Sequence, residues 1–346
     1  MNVLLVGMDV APSKAFQALQ QELEGRGVTV QFFLGFGNAL PLEKRSIASA
    51  VAQADILLTG MSSFEKESAV ELAFISEAIK KNVPWGAYQD TYGTLGRAQF
   101  QAALSQANFL FVIDENEKQK AKDMFPEEVK IVVVGNPTWD EYFFPATSRE
   151  QVRQKLGIEE EEILVLIPGV KSLMVELPLI SATIDAIKAS GDKSNYCVVF
   201  SPHPGSQILI QAYQELDWCQ DNIRVRMVPK EEMSGNEILP GSDLVVSSVS
   251  SLIIGAACQR INLIGWLNQF ELNRQQELNG QEIWPPMKMQ LGPILTPGTG
   301  HLLKNKIYRA GTIGQYHRNQ EKLFPKPIKP GQTLIKMADY LIAQTN

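Results

Sequence analysis

The 346-residue chain is poor in cysteine and in histidine, with three of each. Cys197, Cys219 and Cys258 are scattered and form no C-x-x-C pair, which argues against a disulfide framework and against a cysteine zinc site. His203, His301 and His317 have no ligand spacing, and the chain has neither H-E-x-x-H nor a D-x-D between apolar runs, so no metal centre is expected. Long apolar runs are lacking too. Nothing approaches the ~18 residues of a membrane helix, and the apolar run at 3–6 is too short, and lacks the basic flank, for a signal peptide. The expectation is a soluble, cytoplasmic protein with no integral membrane segment. There is no basic block: 32 Lys and Arg stand against 38 Asp and Glu, a net charge of −6, which argues against nucleic acid as a partner. No G-x-G-x-x-G follows the first apolar run and no G-x-x-x-x-G-K-[ST] occurs, which argues against NAD use and against a P-loop kinase or NTPase.

What the chain does have is a repeating alternation. Short apolar runs lie at 3–6, 28–34, 56–58, 84–88, 109–113 and 131–134, then at 163–167, 197–200, 225–228, 244–246 and 261–264. Segments of helical periodicity separate them. The runs are continuous rather than alternating, as strands covered on both faces require, and the intervening helices supply parallel crossovers. This predicts the α/β class, with two doubly wound Rossmann-like domains facing across a cleft. The first domain is placed at 1–144 and the second at 145–330, with a C-terminal helix at 331–346; the boundary falls in Phe143-Phe144-Pro145-Ala146-Thr147. Ser62 with Glu65, and Ser148 with Gln151, have capping-box spacing, and Gly157 suits a left-handed helix end. From Trp266 to Pro330 the pattern weakens and proline is frequent.

Ligands of open α/β sheets bind beyond the carboxyl ends of the strands, so the polar residues there are the candidates. In the second half, Gly169 permits close backbone approach and Lys171 offers a charge to a phosphate. His203 lies between Pro202 and Pro204, with Ser206 close behind, and Ser248, Ser250 and Ser251 precede a helix whose free amides favour an anion. Together they describe a nucleotide-diphosphate pocket, with His203 also able to act as an acid. In the first half, Asp90 follows the fourth run and is the candidate general base. Asp9 is a weaker one, Glu65 and Asp140 read as caps, and Trp139 reads as packing or as part of a sugar site.

Three segments resemble known proteins. Val134-Gly135-Asn136-Pro137-Thr138-Trp139-Asp140 is similar to a stretch of the non-hydrolysing UDP-GlcNAc 2-epimerases and of lipid-A disaccharide synthase. Leu166-Ile167-Pro168-Gly169-Val170-Lys171, with Glu176 downstream, resembles a segment of that synthase. Pro202-His203-Pro204 and Ser248-Val249-Ser250-Ser251 resemble elements of the epimerases and of CDP-glycerol glycerophosphotransferases. The resemblance, which covers the chain to about Trp266, implies the GT-B fold. It implies metal-independent transfer of a sugar or polyol from a nucleotide-diphosphate donor to an acceptor hydroxyl, with the donor as substrate and no separate cofactor. The alternatives are an epimerase-like isomerase and a non-catalytic GT-B-shaped binding protein; a homo-oligomer is possible in each. The chain departs from the pattern twice. Ala11-Pro12-Ser13-Lys14 stands where epimerases have Arg-Pro-Glu, and Ile254 or Gly255 stands where a glutamate grips the ribose.

Overall fold

The computed structural model describes all residues except 39, 171, 204–217, 280–282, 300–302, 305–313 and 345–346. The chain forms two compact units, Met1–Asp140 with Ile328–Asn346, and Glu141–Pro327. The first crossing thus falls four residues ahead of the 144/145 boundary read from the sequence. Tyr142 and Phe143 are buried, and the Tyr142 ring lies against Gly255 of the second unit. The C-terminal helix, which sequence sets apart, belongs to the first unit.

In the first unit, β1 (Asn2–Gly7), β2 (Thr29–Leu34), β3 (Ile56–Thr59), β4 (Trp85–Tyr88), β5 (Phe109–Val112) and β6 (Lys130–Val133) pair in the order β2-β1-β3-β4-β5-β6. All neighbours run parallel. The crossovers use α1 (Val10–Glu24), α2 (Lys44–Gln53), α3 (Glu65–Lys81), α4 (Ala98–Leu104) and α5 (Glu115–Met124). In α3, acids fill the first turn (Glu65, Glu67), bases the last (Lys80, Lys81), and Asn82 closes it at φ 55°, as the helix dipole and C-terminal geometry favour. One apolar layer covers each face of the sheet. The C-terminal helix (Gln332–Ala343) completes one of them with Met337, Ala338 and Leu341, and Tyr340 lies against Phe109 and Phe111 at 5.1 and 5.3 Å between ring centres. An amphipathic helix without a partner of its own is stabilised by such packing.

The second unit contains β7 (Ile163–Pro168), β8 (Tyr196–Ser201), β9 (Trp218–Gln220), β10 (Ile223–Met227), β11 (Leu244–Ser247), β12 (Asn262–Trp266) and β13 (Ile294–Leu295), in the order β13-β12-β11-β7-β8-β10-β9. Among the described strands only β9 is antiparallel to its neighbour. Around them lie α6 (Arg149–Leu156), α7 (Leu173–Ser190), α8 (Leu252–Cys258), α9 (Gln269–Asn279) and α10 (Gly314–Leu323). The Ser148/Gln151 capping box is formed, and Gly157 takes the left-handed position after α6 at φ 61°. The Ser62/Glu65 box is not: α3 starts at Glu65 with Phe64 as its cap, and Ser62 is bonded elsewhere.

Candidate functional site

Each doubly wound sheet has one place where successive strands go off in opposite directions, and ligands favour the gap between those two strand ends. In the first sheet β2 and β3 lie on opposite sides of β1, so the gap is between β1 and β3. In the second, β8 and β11 flank β7, so it is between β7 and β11.

The first gap is closed by a carboxylate. Glu71 lies on the buried stripe of α3 with Ser68, Phe74, Ile75 and Ala78, and is fully buried. Its Oε1 accepts from the amide of Met8 at 3.0 Å and from the Ser62 hydroxyl at 2.8 Å; its Oε2 accepts from the Ser62 amide at 2.7 Å. The Ser62 hydroxyl in turn accepts from the Asp9 amide at 3.0 Å, and Asp9 Oδ2 accepts from the Ser63 amide at 2.9 Å. Burial pushes the Glu71 carboxyl up to about 7; the donated hydrogen bonds oppose the shift and the nearby Asp9 adds to it.

Asp90 sits at the end of β4, one strand along. It is 8% exposed, and burial raises its pKa, opposed by the charge of Arg97 and reinforced by that of Asp9. The Thr94 hydroxyl donates to it at 3.4 Å. Arg97 donates to the carbonyl of Met61, so one cation is shared between the ends of β3 and β4. The Asn136 amide donates to the Asp90 carbonyl at 2.6 Å, and Asn136 Oδ1 caps the turn Pro137–Trp139 through the Thr138 amide at 2.9 Å. Asn136 therefore holds the backbone at Asp90 in place. Asp140 closes that turn through its backbone amide, which donates to the Pro137 carbonyl, while its carboxylate accepts from the Gly331 amide at 2.5 Å. Trp139 is nearly buried and stacks on Tyr92 at 6.0 Å, a packing residue.

In the second unit the chosen residues come from three adjacent parallel strands. The Gly169 amide donates to the Ser201 carbonyl at 2.8 Å, joining the ends of β7 and β8. A Cβ on Gly169 would lie 2.5 Å from the His203 nitrogen and 2.8 Å from Glu176 Oε1, so this glycine is required by its own chain. Glu176, buried on α7, accepts from the Val170 amide at 2.7 Å. His203 is half-buried beyond β8. At the end of β11, Ser248 is fully buried and its hydroxyl has no hydrogen-bond partner among the described residues. The Ser250 hydroxyl accepts from the Leu252 amide at 3.4 Å, and Ser251 is hydrogen-bonded to Tyr142, whose phenol burial makes less acidic. The topology thus brings Gly169, His203, Ser248, Ser250 and Ser251 to one sheet edge. Lys171 and Ser206 lie outside the described residues. Ile254 faces the core, and a Cβ on Gly255 would meet Leu239 at 2.7 Å and Tyr142 at 3.0 Å, so neither position turns a side chain toward a ligand.

Sequence reasoning missed Glu71 and Arg97, and read Ser62, a polar residue just past the third strand, as a helix cap. Glu71 had a legible signal, a carboxylate on the apolar stripe of its helix. Arg97 had none, since its partner Met61 is distant in sequence. Among the described residues no three His, Cys, Asp or Glu side chains are grouped to hold a metal ion. No helix there is long and apolar enough to cross a membrane.

No protein-family model matches the chain, and no curated protein sequence matches it significantly. Solved structures do. The UDP-GlcNAc 2-epimerase of Methanocaldococcus jannaschii, in complex with UDP-GlcNAc and UDP, matches with a TM-score of 0.62 at 14% identity, over 99% of this chain and 100% of that one. MurG of Acinetobacter baumannii matches with a TM-score of 0.62 at 12% identity, over 99% of each chain. A glycosyltransferase of Rickettsia africae matches with a TM-score of 0.61 at 12% identity, over 99% and 97%. With its two Rossmann-like units, the chain has the GT-B fold.

Proposed function

We propose that the second unit binds the diphosphate of a nucleotide-activated sugar or polyol at the ends of β7, β8 and β11, and that the protein transfers the activated group to an acceptor hydroxyl. The observation that carries the reading is the Ser248 hydroxyl, buried without a partner among the described residues where its sheet reverses strand order. A buried polar group without a partner costs about 1–3 kcal/mol, and such costs are kept where a ligand removes them. The match to a fold neighbour that carries UDP and UDP-GlcNAc supports a nucleotide as that ligand.

In this reading the hydroxyls of Ser248, Ser250 and Ser251 and the His203 imidazole hold the phosphates, with Lys171 and Ser206 as further ligands; Gly169, expected from the sequence to face the ligand, instead has its amide bonded to Ser201 and serves by letting the ends of β7 and β8 approach. They stabilise the charge that builds on the leaving diphosphate without a metal ion. Asp90 takes the proton of the acceptor hydroxyl as its oxygen forms the new bond and the bond to the leaving phosphate breaks. Burial moves Asp90 in the direction a base working near neutral pH needs. The donor is the substrate, and no separate cofactor takes part.

Calorimetric titration with UDP, CDP and their sugar or polyol derivatives tests the binding step. At least one should bind, and His203→Ala should weaken it by about tenfold, the effect of one charge-assisted hydrogen bond. Failure of every nucleoside diphosphate to bind would leave the non-catalytic reading, which the inward-facing Ile254 and crowded Gly255 favour. With a donor found, Asp90→Asn should lower kcat by about 10²–10⁴-fold and leave donor affinity intact.

A further inference from the structure

Two sheets have four edge strands, and three of them are blunted. β6 has four residues, opens on Lys130 and follows Glu127 and Glu128. β9 has three residues and runs antiparallel to β10. β13 has two, between Pro293 and Pro297. Short length, charge and proline are the devices that keep an open edge from pairing with another chain.

β2 uses none of them. Its six residues, Thr29-Val30-Gln31-Phe32-Phe33-Leu34, include no charge and no proline. β1 occupies one edge, and among the described residues nothing hydrogen-bonds to the other. Thr29, Gln31 and Phe32 are exposed, Phe32 by 46%. The sequence is rich in the β-branched and aromatic residues that favour strand pairing.

We propose that β2 is a dimerisation edge, where a second copy of this chain pairs antiparallel with it about a two-fold axis near Phe32 and joins the two six-stranded sheets into one. The strand is its own complement. With the axis at Phe32, that ring meets its symmetry mate, Gln31 lies opposite Phe33 of the second copy, and Val30 lies opposite its Leu34. Two of these cross-strand pairs are apolar or aromatic, the Gln31–Phe33 pair sets an amide beside a ring, and no like charges meet. Beside the strand, a pocket of about 400 Å³ lined by Gln31, Phe33, Arg45, Ser46 and Gln53 gives room for side chains of the added strand. Glu43 and Arg45 both line it, so the face that a symmetric partner meets carries both signs of charge. A six-residue strand pair is small beside the ~1,200–2,000 Å² of a stable interface, so the association is weak and reversible.

Sedimentation velocity on the full chain, from about 1 to about 100 µM, covers the range of such an interface. The wild type should pass from monomer to dimer, and amide exchange at residues 29–34 should slow as concentration rises. Phe32→Lys, at an exposed side chain, should keep its melting temperature, raise the dissociation constant at least tenfold and lose the concentration-dependent protection. A wild type that stays monomeric over the whole range overturns the proposal, whether or not a strand of another protein binds there. So does a dimer that survives Phe32→Lys with residues 29–34 unprotected.

Discussion

At the β1/β3 gap of the first unit, Glu71 takes three hydrogen bonds, and Ser62 and Asp9 continue the chain of donors and acceptors. At the β7/β11 gap of the second, Glu176 likewise accepts from a strand-end amide, yet the Ser248 hydroxyl at the end of β11 is buried and, among the described residues, unpaired. The β1/β3 gap is therefore closed by its own side chains, whereas the β7/β11 gap has, among the described residues, an unmet polar group; the unpaired Tyr88 Oη and Gln89 Oε1 of the first unit lie at the end of β4, outside its gap. A satisfied gap contributes rigidity. An unsatisfied one spends stability and gains from a ligand that brings the missing partner.

The largest effect expected from this contrast is at Glu71. Glu71→Ala leaves two amides and a hydroxyl without their acceptor, at a cost of about 4 kcal/mol in urea denaturation at pH 6; a loss below about 1 kcal/mol would mean that the first gap is not held this way. The pH dependence has a definite sign. A carboxyl raised from its ordinary 4.5 to about 7 binds its proton more tightly folded than unfolded. Wild-type stability should therefore fall by about 3 kcal/mol as pH rises from about 4.5 to 7. Asp90, also raised, adds to the same slope. Glu71→Gln should flatten it in part, and an unchanged slope would count against Glu71 as its source.

Much of the fold was legible because continuous apolar runs are a local property. All six strands of the first sheet, and the five long ones of the second, fall on the runs read from the sequence. β9 and β13, three and two residues long, are too short to register and exist through their neighbours. The polar strand ends were legible too, since a run that stops at Ser, Gly or Asp marks its own end. What each side chain does there was not. Ser62 has the spacing of a helix cap but lies nearer in space to Glu71, which outcompetes it as a partner. Gly169 reads as room for a ligand, whereas the space is taken by the His203 backbone and Glu176. Those outcomes depend on register between strands distant in sequence, which no local pattern encodes.

Gly169→Ala is the next effect in size. Its Cβ would lie 2.5 Å from a backbone nitrogen, which cannot rotate away as a side chain can. A loss of about 2–3 kcal/mol is expected from overpacking, with weaker nucleotide binding because the displaced segment carries His203. Gly60→Ala tests the first unit in the same way, since its Cβ would meet Glu71 Oε1 at 2.8 Å. There the stability loss should come without any change in nucleotide affinity. If Gly169→Ala is as stable as wild type, β7 and β8 are not fixed at their ends by this contact.

The smallest effect separates the two gaps most cleanly, because its sign should differ between them. Ser62→Ala removes a hydroxyl that donates to Glu71 and accepts from Asp9, and should cost about 1–2 kcal/mol. Ser248→Ala removes a hydroxyl with no partner among the described residues, and should leave stability equal or raise it by up to about 1 kcal/mol. Its price should appear only with ligand, as an affinity for the nucleoside diphosphate about tenfold lower, the worth of one hydrogen bond to a charged group. Thermal melts of both variants, with and without the nucleotide, read all four quantities. A Ser248→Ala protein that melts below wild type without ligand would show that this hydroxyl serves the fold, and the contrast between the units would then lose its meaning.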